Sequence, residues 1–355
     1  MRIRKVRDQL KKEGTFPYLI SSLTNIRYLT GFGGSYGYLL ICENGDYFIS
    51  DSRYQEYAQK ILPKKVSFTL QEKDFFTTLK NIISKIDSKN IFLEEHSLPL
   101  SAYNLLKKNL KGVKLIPGGD VVNGVRVVKD EKEIQILREA ASITDRCFTH
   151  LLSIIKPGVH EWDIAIEIEY FYRKNGCTKT SFDSIVASGA VSSMPHYVTS
   201  MEKKIAKGDP VLIDMGCVFE GYNSDLTRTL FVHSVEDRFR KMYSTVFTAQ
   251  QNAIQSVKPG ITTGDLDKIA RQHIENEGYG DCFGHSLGHG VGMEVHELPS
   301  VRPGGDIILK KNSVITIEPG IYIQDYGGIR IEDMICVRPG GFEVLTQSPR
   351  ELIII

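Results

Sequence analysis

Two stretches of this chain follow one plan, and that repetition limits the folds open to it more than any other feature. KPGVHEWDIAIEIEYFYRKNG at 156–176 and KPGITTGDLDKIARQHIENEG at 258–278 each follow a long helical pattern. Each then opens a second helical pattern and reaches a glycine eighteen positions past its Pro-Gly pair. The offset between them is 102 residues. Pro-Gly turns between helices are common, but the equal lengths on both sides favour a duplicated unit of helix, helix and strands. Two such units facing each other would bring their sheets together and hold a site between them.

The 355 residues leave room for a smaller domain ahead of this duplicated one. Residues 3–13 have the spacing of a short amphipathic helix, and FPYLI, YGYLLI and GDYFIS alternate as strands do. Helical patterns recur at 54–60, 73–86 and 100–109, with KNIFLEE strand-like between the last two and GVKLIP as the closing strand. This is α/β organisation. VNGVRVVKDEKEI then changes register, which puts the boundary near 122–126 and the domains at 1–124 and 125–355. A long helix is predicted over 130–155, burying Ile134, Leu137, Ala141, Phe148 and Leu151 and stopped by the KPG at 156–158.

Forty-four basic against 43 acidic residues give no reason to expect a polyanionic partner, so nucleic acid is not predicted. No apolar run approaches the roughly 18 residues that would span a bilayer, and the segment MRIRKVRDQLKKEG is charged and helically spaced where a leader would be expected to carry an apolar run. The six cysteines are scattered without a CxxC pair, as in a reducing compartment. A soluble, cytoplasmic protein without a membrane partner is the expectation.

Asp214, Asp225, His289, Glu318 and Glu332 recur down the last 150 residues in glycine-rich, β-branched segments. Four carboxylates and an imidazole are too much charge for a core and suit two hard or borderline divalent ions. PVLIDMGCVFEGYNSDLTRTLFV reads as a hairpin in which Asp214 and Asp225, eleven apart, can approach if the register cooperates. HSLGHGVGMEVHE supplies His285, His289 and His296, with Gly288, Gly290 and Gly292 permitting close backbone approach. It is not an HExxH helix, because Leu298 and Pro299 follow His296-Glu297. Glu318 ends the strand NSVITIE, and alternation points Arg330 the same way as Glu332, whereas Asp333 faces oppositely and reads as structural. His196 lies in a serine- and glycine-rich loop, where polar side chains are often functional. Two ions in such a site would lower the pKa of a shared water and polarise a carbonyl, and a carboxylate would pass the proton to a leaving amine. Amide hydrolysis is the chemistry this set suits.

SSLTNIRYLTGF, DSRY, VRVVKDEKEIQILREA, FDSIVASGAVSSMPHY, VLIDMG, GYNSDLTRT, HSLGHGVGMEVHE, ITIEPGIY and GIRIED run in order along nearly the whole chain. Together they resemble the creatinase and methionine aminopeptidase superfamily of pita-bread proteins, peptidase family M24, and most closely its proline-specific members, aminopeptidase P and Xaa-Pro dipeptidase (prolidase). The resemblance implies an α/β creatinase-like N-terminal domain and an α+β pita-bread catalytic domain with internal pseudo-two-fold duplication. It implies two divalent ions, manganese first and cobalt or zinc after it. Asp214 would serve one ion, His289 and Glu318 the other, with Asp225 and Glu332 bridging. Glu318 would also be the general base. His196 and His296 would contact the scissile carbonyl and the proline side, His285 the prime-side pocket, and Arg330 would orient Glu332 and other site carboxylates. A homodimer formed through the N-terminal domain is implied, as are short proline-containing peptides as substrates. The leading expectation is an Xaa-Pro aminopeptidase and the alternative a strict Xaa-Pro dipeptidase, with a catalytically silent pita-bread binding or scaffold protein as the remote third reading.

Overall fold

The computed structural model describes residues 2–355 and divides them into two compact units, the first ending at Arg126 and the second running Val127–Ile355. In the first unit, helix α1 (Arg2–Glu13) buries Val6 and Leu10. Strands β1 (Tyr18–Ile20), β2 (Tyr38–Cys42) and β3 (Gly45–Ser50) pair antiparallel, with helix α2 (Leu23–Thr30) between the first two. Helix α3 (Gln55–Ile61) crosses to β4 (Val66–Leu70), parallel to β3. Helices α4 (Phe75–Lys85) and α5 (Leu100–Asn109) lead to the parallel strands β5 (Asn90–Leu93) and β6 (Lys114–Pro117), and α6 (Val121–Arg126) ends the unit. The sheet order is β4-β3-β2-β1-β5-β6, with Leu19, Leu40, Ile49, Leu79 and Ile91 in one core.

Helix α2 and strand β4 are absent from the pattern reading. Helix α2 has good end signals: the Ser22 side chain caps it and Gly31 leaves it at φ +81°. Strand β4 is an edge strand with exposed positions, so its alternation is blunted.

The second unit carries the repeat. Helix α7 (Glu131–Leu151) opens with a reciprocal Asp130–Glu133 capping box and buries all five apolar residues expected of it. It stops about a turn short of residue 155, because the chain tightens into short turns at Ser153 and Ile154, and Ile155 is then buried. After the first KPG comes α8 (Glu161–Lys174); the second repeat supplies α9 (Asp237–Ser256) and α10 (Thr263–Asn276). The four glycines of the pattern share a left-handed backbone: Gly158 and Gly260 at φ +90° and +96°, Gly176 and Gly278 at +85° and +84°. Gly158 N–H bonds to the Ile205 carbonyl at 2.9 Å, and Gly260 N–H to the Leu309 carbonyl at 3.0 Å. Ile205 and Leu309 return bonds to Val159 and Ile261, both 2.9 Å. Equal helix lengths in the sequence therefore reflect equivalent turns with equivalent partners.

Each repeat contributes a sheet. The first contains strands Ile185–Ser188, Pro210–Met215 and Leu226–Phe231; the second contains Gly288–Gly290, Val314–Ile317 and Asp333–Arg338. Ile205 and Leu309 stand 104 residues apart, the interval that also separates Asp214 from Glu318. Asp225 immediately precedes strand Leu226–Phe231, and Glu332 immediately precedes Asp333–Arg338. The four carboxylates thus occupy corresponding places in the two repeats. Among the described residues, no helix is long and apolar enough to cross a membrane.

Candidate active site

The first hairpin pairs Thr227 opposite Asp214, and Thr227 lies two residues beyond Asp225. Strand alternation therefore turns all three side chains to one face. Thr227, buried and absent from the sequence reading, ties that face together. Its hydroxyl donates to Glu332 Oε2 at 2.6 Å and accepts from Arg330 Nε at 3.1 Å. Arg330 Nη2 donates to Asp214 Oδ2 at 2.6 Å. Arg330 thus pairs with Asp214 and reaches Glu332 through Thr227, which ties it to two of the site carboxylates at once. The alternation argument placed both side chains on one face but could not choose between two carboxylates there.

His289 stands on a short strand clamped from both sides. A Cβ on Gly288 would come within 2.1 Å of the Thr316 carbonyl, and one on Gly290 within 2.2 Å of the Leu298 carbonyl. Only glycine permits that approach, and the register shifts between His289 and Gly290. His289 Nδ1–H donates to the Gly290 carbonyl at 3.1 Å, so Nε2 faces Glu318 Oε1 at 3.2 Å and Asp225 Oδ2 at 3.6 Å. Thr316, two residues before Glu318, accepts from His289 N–H and donates to Glu318 Oε1 at 3.2 Å. Ligand atoms of Asp225, His289 and Glu332 lie within 4.8 Å of one another, a set able to hold a divalent metal ion.

Burial raises the pKa of Asp225 and Glu332 well above the usual carboxylate range, and neighbouring carboxylates add to it, Asp214 foremost for Asp225 and Asp225 foremost for Glu332. Burial also raises Asp214, against the opposing pull of Arg330. At Glu318 burial is outweighed by the hydrogen bond and charge of His289, and its pKa is lowered. Burial would lower His289, but Glu318 and then Asp225 carry it up to about 9. Asp214 Oδ1 is buried without a hydrogen-bond partner. An orphaned carboxylate oxygen beside carboxylates that repel one another is what a cation corrects, so the donor set fits divalent metal.

Three further histidines surround this centre. The His296 ring centroid lies 4.3 Å from that of His289. His285 donates from Nδ1 to the Ser286 carbonyl at 2.8 Å and receives the Tyr322 hydroxyl at Nε2, 2.9 Å away. Tyr322 in turn accepts from Arg330 Nη1 at 2.9 Å, completing a line from Asp214 through Arg330 and Tyr322 to His285. Burial lowers the pKa of His285, and burial followed by the charge of His289 lowers that of His296. His196 is exposed at a turn, close enough for its charge to disfavour protonation of both. Thr227 and Thr316 each lie two residues from a site carboxylate, so the period of two could have found them; for Tyr322 the sequence holds no such signal. Asp333 is structural, as expected: it is fully buried, paired with Arg228 at 2.8 Å and Arg350 at 2.5 Å.

Comparison with known proteins places these features in a family. Residues 135–339 match the metallopeptidase family M24, and residues 2–128 match the creatinase/prolidase N-terminal domain. An Xaa-Pro dipeptidase of Pyrococcus horikoshii is 39% identical over 356 residues, covering 99% of this chain and 98% of the relative. The structure of an Xaa-Pro dipeptidase from Bacillus anthracis superposes with a TM-score of 0.96 at 38% identity, covering 100% of this chain and 99% of the other. That of an X-Pro aminopeptidase from Thermotoga maritima gives 0.89 at 37% identity, covering 96% and 98%. With a creatinase-like first domain, a pita-bread second domain and a binuclear-type metal centre at its heart, this chain belongs to metallopeptidase family M24.

Proposed function

We propose that the protein is an Xaa-Pro dipeptidase, releasing the N-terminal residue from a following proline. The observation that carries this reading is the cluster of Asp225, His289 and Glu332, able to hold a divalent ion, with Glu318 against His289 and three further histidines close by. Full-length similarity to proteins named Xaa-Pro dipeptidases favours that activity over the aminopeptidase expectation. Asp214 and Asp225 would hold one ion, His289 and Glu318 the other, with Asp225 and Glu332 shared. Oxygen-rich ligation favours manganese. When bound, the ions polarise the scissile carbonyl and make the attacking water acidic enough to react near neutrality.

The chain's own residues do the rest. Thr316 donates to Glu318 Oε1, and the Glu318 carboxylate accepts the water proton and delivers it to the proline nitrogen. His196 and His296 bond the substrate carbonyl and the proline side as charge develops on the oxygen. His285, kept neutral by burial, lines the prime side. Arg330 and Thr227 hold Asp214 and Glu332 in place. Proline lacks an amide proton and restricts its neighbour, so a dedicated site serves it better than a general peptidase site. Residues 1–124 form the domain through which we expect a homodimer, and residues 125–355 the catalytic domain. A reducing compartment, the cytoplasm, suits the six unpaired cysteines.

The test compares Ala-Pro with Ala-Pro-Ala, using metal-stripped protein refilled with manganese and following free alanine. Cleavage confined to the dipeptide is expected. Efficient cleavage of the tripeptide would make the protein an aminopeptidase P, and cleavage of neither would remove proline specificity.

A further inference from the structure

We propose that Glu161 is a positioning residue for His196: its buried carboxylate, acting through Tyr197 and Ser200, fixes the turn that presents this histidine to substrate. The inference rests on the reading of His196 given above.

Glu161 is the first residue of α8 and has no solvent exposure. Its four hydrogen bonds come from uncharged donors and divide between its two oxygens. Oε1 accepts from Ser188 N–H and from the Ser188 hydroxyl, both at 2.7 Å, which fastens it to strand Ile185–Ser188. Oε2 accepts from the Tyr197 hydroxyl at 3.0 Å and from Ser200 N–H at 3.4 Å. A carboxylate taken fully out of water is held only where such donors converge. Burial, followed by the charge of Glu161, pushes the Tyr197 phenol up to about 12, so it remains a donor.

The segment so held is the one that carries His196. Tyr197 N–H bonds back to the Met194 carbonyl at 3.1 Å, closing a turn with Pro195 and His196 at its centre. Arg330 Nη1 reaches the Pro195 carbonyl at 3.4 Å. His196 therefore sits between a residue tied to the metal centre by Arg330 and a residue tied to the fold by Glu161. Its own side chain is exposed, so its aim depends on these flanking ties.

The second repeat solves the same problem with the equivalent helix. Asp267 of α10, 1% exposed, accepts Leu287 N–H at 3.1 Å and pairs with Arg271 at 2.8 Å. Arg271 donates to the carbonyls of Phe283 and His285, both at 2.9 Å. In both repeats, then, the helix after the KPG turn grips the segment bearing an outer histidine, with a lone carboxylate in the first and an ion pair in the second.

The experiment is a double-mutant cycle on manganese-loaded, full-length protein with Ala-Pro as substrate. Glu161→Gln turns an amide N–H2 toward groups that are themselves donors; Tyr197→Phe removes only the phenol tie. We expect kcat and kcat/KM to fall together, about tenfold for E161Q and about fivefold for Y197F, with metal content unchanged. In an H196A background neither substitution lowers the rate further, because the residue they aim is gone. The same fold-loss in both backgrounds, or no loss in the parent, overturns the inference while leaving the role of His196 intact. Parental activity in H196A alone overturns both. If E161Q does not fold, Y197F carries the cycle by itself.

Discussion

Lys129 and Glu297 form an ion pair of 2.7 Å with side chains only 1% and 6% exposed. Replacing Lys129 by Met keeps most of the unbranched stem and removes the charged end. At an effective dielectric near 20 the Coulomb attraction at this distance is about 6 kcal/mol, partly offset by the cost of holding the ammonium away from water. Breaking such a buried pair from one side costs about 3–5 kcal/mol, since the buried carboxylate loses the Lys129 ammonium. In a unit of this size that lowers Tm by roughly 6–20 °C. Glu297 also accepts Glu294 N–H at 3.4 Å and adjoins His296, so the loosened segment is the one that presents this histidine. The assay is urea and thermal unfolding of metal-free protein, which keeps metal affinity out of the comparison. K129M/E297Q should recover part of the loss, because it removes both charges. A K129M protein within about 1 kcal/mol of its parent, or a double mutant worse than the sum of the singles, would refute the reasoning.

Two further outcomes are expected. Thr227→Val removes the hydroxyl that joins Glu332 to Arg330, and should weaken metal binding roughly 10–100-fold, measured by competition with a chelating dye; T227S should restore it, and unaltered affinity in T227V would remove Thr227 from the metal centre's support. Glu343 lies between Arg138 and Arg338, at 2.6 and 2.8 Å, and the Arg138 hydrogen bond is the foremost influence depressing its pKa. A depressed carboxylate stabilises the fold above its unfolded value, about 4.3, and the contribution is lost as pH falls through the lower folded value. E343Q should therefore be less stable than its parent at pH 7 and approach it near pH 3 in urea midpoints; a difference independent of pH would contradict the assignment.

Much of this protein was legible in one dimension because its signals are local or periodic. The KPG turns reappear as four left-handed glycines at equivalent places, since a backbone that needs positive φ writes glycine into the chain. The apolar stripe of α7 reappears as buried residues, since helical geometry alone places them on one face. Glycines 288 and 290 announced a close approach, and the carbonyls of Thr316 and Leu298 are what approaches. By itself, then, the sequence determined most of the element types, the duplicated plan and the inventory of metal-suited side chains. The tertiary structure alone decided which of them meet. Thr227 stands opposite Asp214 only through strand register, and Arg330 chooses Asp214 over Glu332 only because two hairpins distant in sequence are brought together. Tyr322 meets Arg330 within one hairpin, but only packing brings it to His285, 37 residues away. The grip of Glu161 on the His196 turn spans 36 residues and depends on α8 packing beside its sheet. Periodicity reports which way a side chain points along its own element; what it points at is settled by register and packing between elements, and no spacing within one element records that.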